Sequence, residues 1–263
     1  MHLLGAYGRA RRGGPLNYEV ELDDGAGRDQ AAESLVVRFG DGREERMRLH
    51  EYDRVYAIPG LYEEVVQKRL ECLSPDTLAD AIVGAAQRDG VAAADLRVFD
   101  LAAGNGVTGG ALADRGVREL VGSDNAPEAR RAAQRDRPRL YSEYVVGDID
   151  DDESKLADLV RSHQLNGLVC AGALGLGHIT ATSFARLWDH FPEGSWCSAS
   201  LHESLAEPGG SDFGDYLREL DREGSGAEVL SRERFRHRLL MSGEEVHYVA
   251  VVLRRTAKQW SVH

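Results

Sequence analysis

The sequence predicts an α/β fold: a mainly parallel sheet with an antiparallel hairpin at its C-terminal end, preceded by a small β appendage. Three observations predict it. From Leu96 onward, short apolar runs alternate with helix-patterned segments, the signature of βαβ crossovers. The run VFDL at 98–101 breaks into the glycine-rich turn AAGNG and resumes as a helical pattern. Near the C-terminus, RFRHRLL and HYVAVVLRR read as two strands joined across Met241-Ser242-Gly243-Glu244-Glu245.

The elements follow in order. Residues 1–15 are rich in Gly and Arg, a composition that does not order by itself. Residues 16–22, LNYEVEL, alternate as a strand. LVVRFGDGREERMRLH, 35–50, reads as two extended runs around Gly40-Asp41-Gly42, a hairpin signal. The boundaries are thus an appendage over 1–49 and a main domain over 50–263. A lone hairpin is marginal in water, so its apolar side chains must dock on the main domain or on a second copy of the chain.

Pro59-Gly60 then interrupts the chain, and helical patterning runs from Leu61 to about Cys72. Ser74 reads as an N-cap with Pro75 at the first helical position, and Gly90 as the stop. Beyond Leu96 the strands fall near 96–101, 119–123, 144–147, 167–172 and 195–201. The helices fall near 107–115, 127–136, 153–163, 180–190 and 212–222.

Composition narrows the class. The 263 residues suffice for one large α/β domain, or a core domain with a small addition. No run approaches the 18 or so apolar residues of a membrane span. The arginine-bearing start lacks the apolar core of a secretory signal. A net charge of −12 argues against broad nucleic-acid binding, and the basic run ARRAAQRDRPR at 129–139 reads as a solvated helix face. Three separated cysteines form neither a disulfide framework nor a zinc pattern; Cys170 and Cys197 sit in core-like runs. A reducing, cytoplasmic setting is expected, with no membrane and no metal.

The chemistry centres on the turn after the first parallel strand. Gly104-Asn105-Gly106-Val107-Thr108-Gly109 matches G-x-G-x-x-G, which alone does not choose its ligand. Three carboxylates do more: Asp100, Asp124 and Asp148 end three successive strands and converge on one crevice. Their negative charge suits a cationic, hydroxyl-bearing ligand without phosphates. Asp124 sits where a bidentate carboxylate holds a ribose diol, which would serve NAD(P) equally well. Asp100 beside the turn and the long segment ahead of it count against a dinucleotide. A strand-end carboxylate at a ligand crevice is seldom a core support, so replacing Asp124 is expected to leave the fold intact.

DLAAGNG resembles the acidic glycine-rich loop of class I S-adenosylmethionine-dependent methyltransferases, with Ala102 in place of the first glycine. The stretch VFDLAAGNGVTGGALADRGVRELVGSDNAPEARRAA is most similar to the small-molecule group named after the Williams–Beuren syndrome region. RPRLYSEYVVGDI and LVCAGALGLGHI have counterparts there too. The resemblance spans about 50–255. It implies a Rossmann-like, seven-stranded, mostly parallel sheet whose last strand is antiparallel. It implies S-adenosyl-L-methionine as cofactor, S-adenosyl-L-homocysteine as product, and a small-molecule acceptor. Asp124, followed by Asn125, would bind the ribose hydroxyls; Asp148 and Ile149 would flank the adenine. The Gly104–Asn105–Gly106 backbone would approach the methionine part, Ala171 and Gly172 would lie beside the sulfonium, and Tyr56, Ala102 and Asp100, the last directly or through water, are counted among the cofactor-binding residues.

Methyl transfer from a sulfonium is an in-line displacement, so the protein supplies alignment and sometimes a base. His178, after the fourth strand, is the first candidate at the acceptor. His202 and Glu203, ending the fifth, are expected to face the same crevice. His237 is read from strand alternation as a surface or hairpin-packing residue. Tyr52, Tyr56 and Tyr62 are candidates for a lid folded over the cofactor. No Asn/Asp-Pro-Pro-aromatic tetrapeptide follows the fourth strand, against methylation of DNA bases. A homodimer through the appendage is the expected assembly. An NAD(P)-dependent oxidoreductase and a non-catalytic S-adenosylmethionine-binding protein remain open alternatives.

Overall fold

The computed structural model describes residues 16–23, 30–175, 177–222 and 224–258; the predicted N-terminal tail, 1–15, lies outside them. Alternating side chains make the first sheet. β1 (Tyr18–Leu22), β2 (Ser34–Phe39) and β3 (Glu44–Arg48) pair antiparallel in chain order. Gly42, at φ 87°, turns β2 into β3.

A short helix, α1 (Tyr52–Ala57), and a π-helical turn, Glu63–Arg69, lead into α2 (Ser74–Arg88). The helix expected over 61–72 is therefore wound more widely than an α-helix; Leu70 N–H bonds back to Val65 at 2.9 Å. The expected Ser74 cap is also corrected. Leu73 precedes the helix without a side-chain cap, and Ser74 is its first residue.

The main sheet comprises β4 (Arg97–Leu101), β5 (Glu119–Asp124), β6 (Glu143–Val146), β7 (Gly167–Cys170), β8 (Trp196–His202), β9 (Ser225–Leu239) and β10 (Glu245–Lys258). Its order is β6-β5-β4-β7-β8-β10-β9, parallel through β8 and antiparallel at β10 and β9. Five further helices connect and cover it: α3 (Val107–Asp114), α4 (Pro127–Asp136), α5 (Glu153–Ser162), α6 (Ala181–Asp189) and α7 (Asp212–Leu220). β4, β7 and β8 are buried on both faces, which is why they read as unbroken apolar runs. β9 begins well before the RFRHRLL run because its first half alternates too weakly to show.

The small sheet docks on the same chain. Leu35, Val37, Met47 and Leu49 pack with Val55, Leu61, Val65, Val66, Leu70 and Met241 in one buried cluster. Beside that cluster Glu33 and Arg238 form an ion pair at 2.5 Å, with side chains 3% and 4% exposed. Glu33 also accepts the Met241 backbone N–H at 2.6 Å, so the carboxylate ties the sheet to the tip of the terminal hairpin. Cys72, Cys170 and Cys197 are free and buried. Among the described residues no helix is long and apolar enough to cross a membrane.

Candidate active site

Five parallel strands end at one edge, and the switch in connection direction between β4 and β7 leaves a crevice there. The turn after β4 is sharp. Ala102, Gly104 and Gly106 have φ of 57°, 56° and 88°, so an alanine occupies one left-handed position. Two glycines of this loop admit tyrosines rather than open space. A Cβ on Gly104 would lie 2.5 Å from the Tyr56 hydroxyl, and one on Gly109 would lie 2.5 Å from that of Tyr141.

Asp124 is held in place by the backbone. Its carboxylate oxygens accept the N–H groups of Gly104 and Ala126, each at 2.9 Å. Burial pushes its pKa up, against these hydrogen bonds, which favour the charged form. Asp124 thus satisfies two backbone donors, one at the glycine loop and one entering α4. Asp148 follows β6 and accepts the Asp150 N–H at 2.9 Å, forming a tight turn beside Ile149.

A cavity of about 320 Å³ opens over these groups. Of the residues expected at the cofactor, Tyr56, Ala102, Asp124, Asn125, Asp148, Ile149, Ala171 and Gly172 line it, and so does His178. The three candidate lid tyrosines line it too. Tyr52 stacks on Tyr56 at 5.6 Å, and Tyr56 meets Tyr62 at 5.2 Å. Burial raises the pKa of all three, keeping them neutral hydroxyls.

Other expected residues lie elsewhere. Asp100 is 1% exposed and points away from the cavity, accepting the Tyr141 hydroxyl at 2.6 Å. Its pKa is pushed up to about 7 by burial, against hydrogen bonds from Tyr141 and Gly109. Gly104 is covered by Tyr56, and its carbonyl accepts the Tyr144 hydroxyl at 2.7 Å. Gly106 packs on Arg137, Leu140 and Tyr141. Asn105 is buried, with Nδ2 lacking a hydrogen-bond partner. None of these four lines the cavity.

His202 and Glu203 do not reach it either. His202 Nδ1 is engaged with Ser204 at 2.8 Å, and Glu203 turns outward to pair with Arg234 at 2.6 Å. Glu203 follows the last residue of β8 and starts a turn, so its side chain leaves the sheet edge for solvent.

His237 is the converse case. Val246 pairs with Arg238 and His247 with Arg236, so His237 is the extra residue of a β-bulge. The bulge turns His237 and its neighbour Arg238 both toward the cavity, which regular alternation forbids. The bulge is pinned from α2's entry: Leu73 N–H donates to the His237 carbonyl at 2.8 Å. The ring stacks on Tyr248 at 4.0 Å, and its Nδ1 lies 2.6 Å from Ser74 Oγ. Desolvation, with Arg238 nearby, lowers the imidazole pKa to about 3, so the ring is neutral. The aromatic and polar texture of the hairpin was visible in the sequence, whereas the bulge was not.

No protein-family model and no curated protein matches the chain. Solved structures do. An S-adenosylmethionine-dependent methyltransferase from Anabaena variabilis superposes at a TM-score of 0.50 with 14% identity, covering 78% of this chain and 93% of that one. The magnesium protoporphyrin IX methyltransferase of Synechocystis, solved with bound S-adenosylmethionine, matches at 0.45 and 17% identity over 70% and 81%. A structure concerned with converting a disulfide bond into a thioacetal group in echinomycin biosynthesis matches at 0.49 and 16% identity over 80% and 96%. What the likeness shows is the fold: a Rossmann-like, seven-stranded sheet with its antiparallel C-terminal hairpin, the architecture of class I S-adenosylmethionine-dependent methyltransferases.

Proposed function

We propose that the protein transfers a methyl group from S-adenosylmethionine to a small-molecule acceptor. One observation carries the reading: a preset carboxylate, Asp124, lining a cavity on the carboxyl edge of this sheet. The donor chemistry fits a sulfonium nucleoside. Two Asp124 oxygens are already oriented by backbone N–H groups, leaving their remaining lone pairs for a ribose diol. Ile149, Leu101 and Leu156 supply an apolar bed beside Asp148 for a purine. Ala102, Ala171 and Gly172 leave room next to β4 and β7 for the amino-acid part. Bound there, the cofactor supplies an electrophilic methyl group on a positively charged sulfur.

The chain's own residues align and enclose. Tyr52, Tyr56 and Tyr62 form a contiguous aromatic wall of the cavity, a rigid surface against which reactants can be aligned as in-line displacement requires. The cavity has the size of a small-ligand site, which favours a compact acceptor over a polymer. The resemblance of the central segment to the Williams–Beuren group supports the same acceptor class.

Calorimetry tests the reading. S-adenosylhomocysteine is expected to bind the parent and to bind Asp124→Ala at least tenfold more weakly. Charge-assisted hydrogen bonds are worth about 1.5–3 kcal/mol each and about 1.4 kcal/mol is one decade. Because Asp124 also holds two backbone donors, Asp124→Asn with its retained acceptor serves as the folded control. Tight binding of NADH with none of S-adenosylhomocysteine would replace this reading by a dinucleotide-dependent one.

A further inference from the structure

The cavity is polarised along the sheet edge. Its lining carboxylates, Asp124, Asp148 and Asp150, all sit at the β5–β6 end. The β7–β10 end presents Gln30, His50, His178, His237, Arg238 and Tyr248, with no carboxylate among the lining residues there. Arg238 is engaged by Glu33, outside the cavity lining, which leaves the Gln30 amide and the His237 ring to be accounted for. Gln30 Nε2 is buried without a hydrogen-bond partner among the described residues. The Tyr248 hydroxyl donates to Gln30 Oε1 at 3.4 Å, which leaves the amide nitrogen over. A buried donor of this kind calls for an acceptor group.

The proton on His237 can be placed by accounting. Ser74 Oγ has Nδ1 of His237 as its partner at 2.6 Å, and among the described residues no other acceptor for its proton. Cys72 Sγ also lies 3.9 Å from that nitrogen. The hydroxyl therefore donates to Nδ1, and the ring proton sits on Nε2, whose hydrogen bond is left for the cavity. The Cε1 edge of the ring lies 3.7 Å from where a Cβ on Gly172 would stand, next to β7. So placed, His237 is a hydrogen-bond donor and not a base.

We propose that this end of the cavity takes the acceptor as a carboxylate, with His237 Nε2–H donating to the carboxylate oxygen that is not methylated. The proposal rests on the methyltransferase reading above. The other oxygen attacks the methyl carbon with its lone pair. An O–CH3 bond forms, the C–S bond breaks, and its electron pair returns to sulfur. The sulfonium becomes a thioether, the carboxylate becomes a methyl ester, and the two opposite charges cancel. No proton moves, so the reaction needs none of the bases that the sequence failed to reveal. An amine acceptor would face donors with donors.

Nuclear magnetic resonance of 15N-histidine-labelled full-length protein, saturated with S-adenosylhomocysteine, tests this. His237 is expected to be the Nε2–H tautomer, and its Nε2 signal to move on titration with benzoate or indole-3-acetate. Phenol and benzylamine are expected to leave it in place. His237→Ala should weaken binding of the carboxylates at least tenfold, and His237→Gln, which restores an N–H donor, should recover most of it. Both should bind S-adenosylhomocysteine within twofold of the parent. The proposal is overturned if neither carboxylate moves the Nε2 signal, if only the amine or the phenol does, or if His237→Ala binds the carboxylates like the parent. An effect of S-adenosylhomocysteine alone on Nε2 would assign the donor to the cofactor instead, and also overturns it. Should either variant fail to fold, the tautomer and titration of the parent decide. Should the parent not bind S-adenosylhomocysteine, the methyltransferase reading fails, and the carboxylate titration still reports on the donors themselves.

Discussion

Two single residues of the glycine loop carry measurable strain or charge. Ala102 stands at φ 57°, where a Cβ is disfavoured by roughly 1–2 kcal/mol. Ala102→Gly is therefore expected to stabilise the protein by about 0.5–1 kcal/mol after the entropic cost of glycine. Thermal unfolding should show a rise of about 2 °C, and an unchanged or lower midpoint would locate the strain elsewhere. Asp100 carries the second effect. An unfolded aspartate titrates near pH 4, at about 3.9. The folded side chain, buried against Tyr141, titrates near about 7. Between these values the folded state holds a proton that the unfolded state has lost. The contribution of Asp100 is therefore full below pH 4, falls as pH rises, and levels off above pH 7, with a slope of at most about 1.4 kcal/mol per unit. Asp100→Asn should flatten the decline of stability between pH 5 and 7 in urea unfolding. A variant whose pH profile parallels the parent's would clear Asp100 of this role.

At the scale of elements, the terminal hairpin and the appendage act as one body through Glu33 and Arg238. Removing one partner strands a buried charge. Glu33→Leu is expected to cost about 3–5 kcal/mol, and the double change Glu33→Leu/Arg238→Met to recover most of it. Equal destabilisation by the single and double variants in denaturant titrations would show that the pair does not act through charge. Sequence reading reached the elements whose physics is local. The parallel strands show as apolar runs, and the hairpins as Gly-Asp-Gly and Ser-Gly-Glu turns between alternating stretches. It failed where a long-range partner decides. RFRHRLL reads as regular alternation, and only its pairing with 245–248 shows that His237 is an extra residue facing inward. Ser74 has every local mark of a cap, yet its hydroxyl turns to His237, 163 residues later. Asp100 lies ahead of the glycine turn as a ligand-binding acid would, but Tyr141 claims it. The crevice acids Asp124 and Asp148 were legible because the carboxyl ends of parallel strands are fixed by the alternation itself.

At the scale of the molecule, the small sheet is part of the cavity's architecture. It buries Leu35, Val37, Met47 and Leu49 against the π-helical segment and contributes Leu49 to the cavity wall, while Gln30 reaches the wall from just ahead of β2. A chain beginning at His50 would expose the facing surface of Val55, Leu61, Val65 and Leu70. Such a chain is expected to bind hydrophobic dye and to lose cooperative unfolding. Cooperative melting at the parent's midpoint would show that the two parts stand independently.

The ion pair joins positions 205 residues apart, and that separation has a consequence for synthesis. A ribosome adding about 5–20 residues per second needs roughly 10–40 s to travel from Glu33 to Arg238. Throughout that interval the first sheet and the segment 55–70 it packs on have been made, but the hairpin that supplies Arg238 and Met241 has not. The central strands β4 to β8 emerge meanwhile and can assemble from contacts with their neighbours. His237, Arg238 and Tyr248 complete the wall only when the last strand is out of the exit tunnel. The nascent chain thus spends that interval with Glu33 unpaired and its apolar cluster lacking Met241, the stage at which a chaperone would have something to hold.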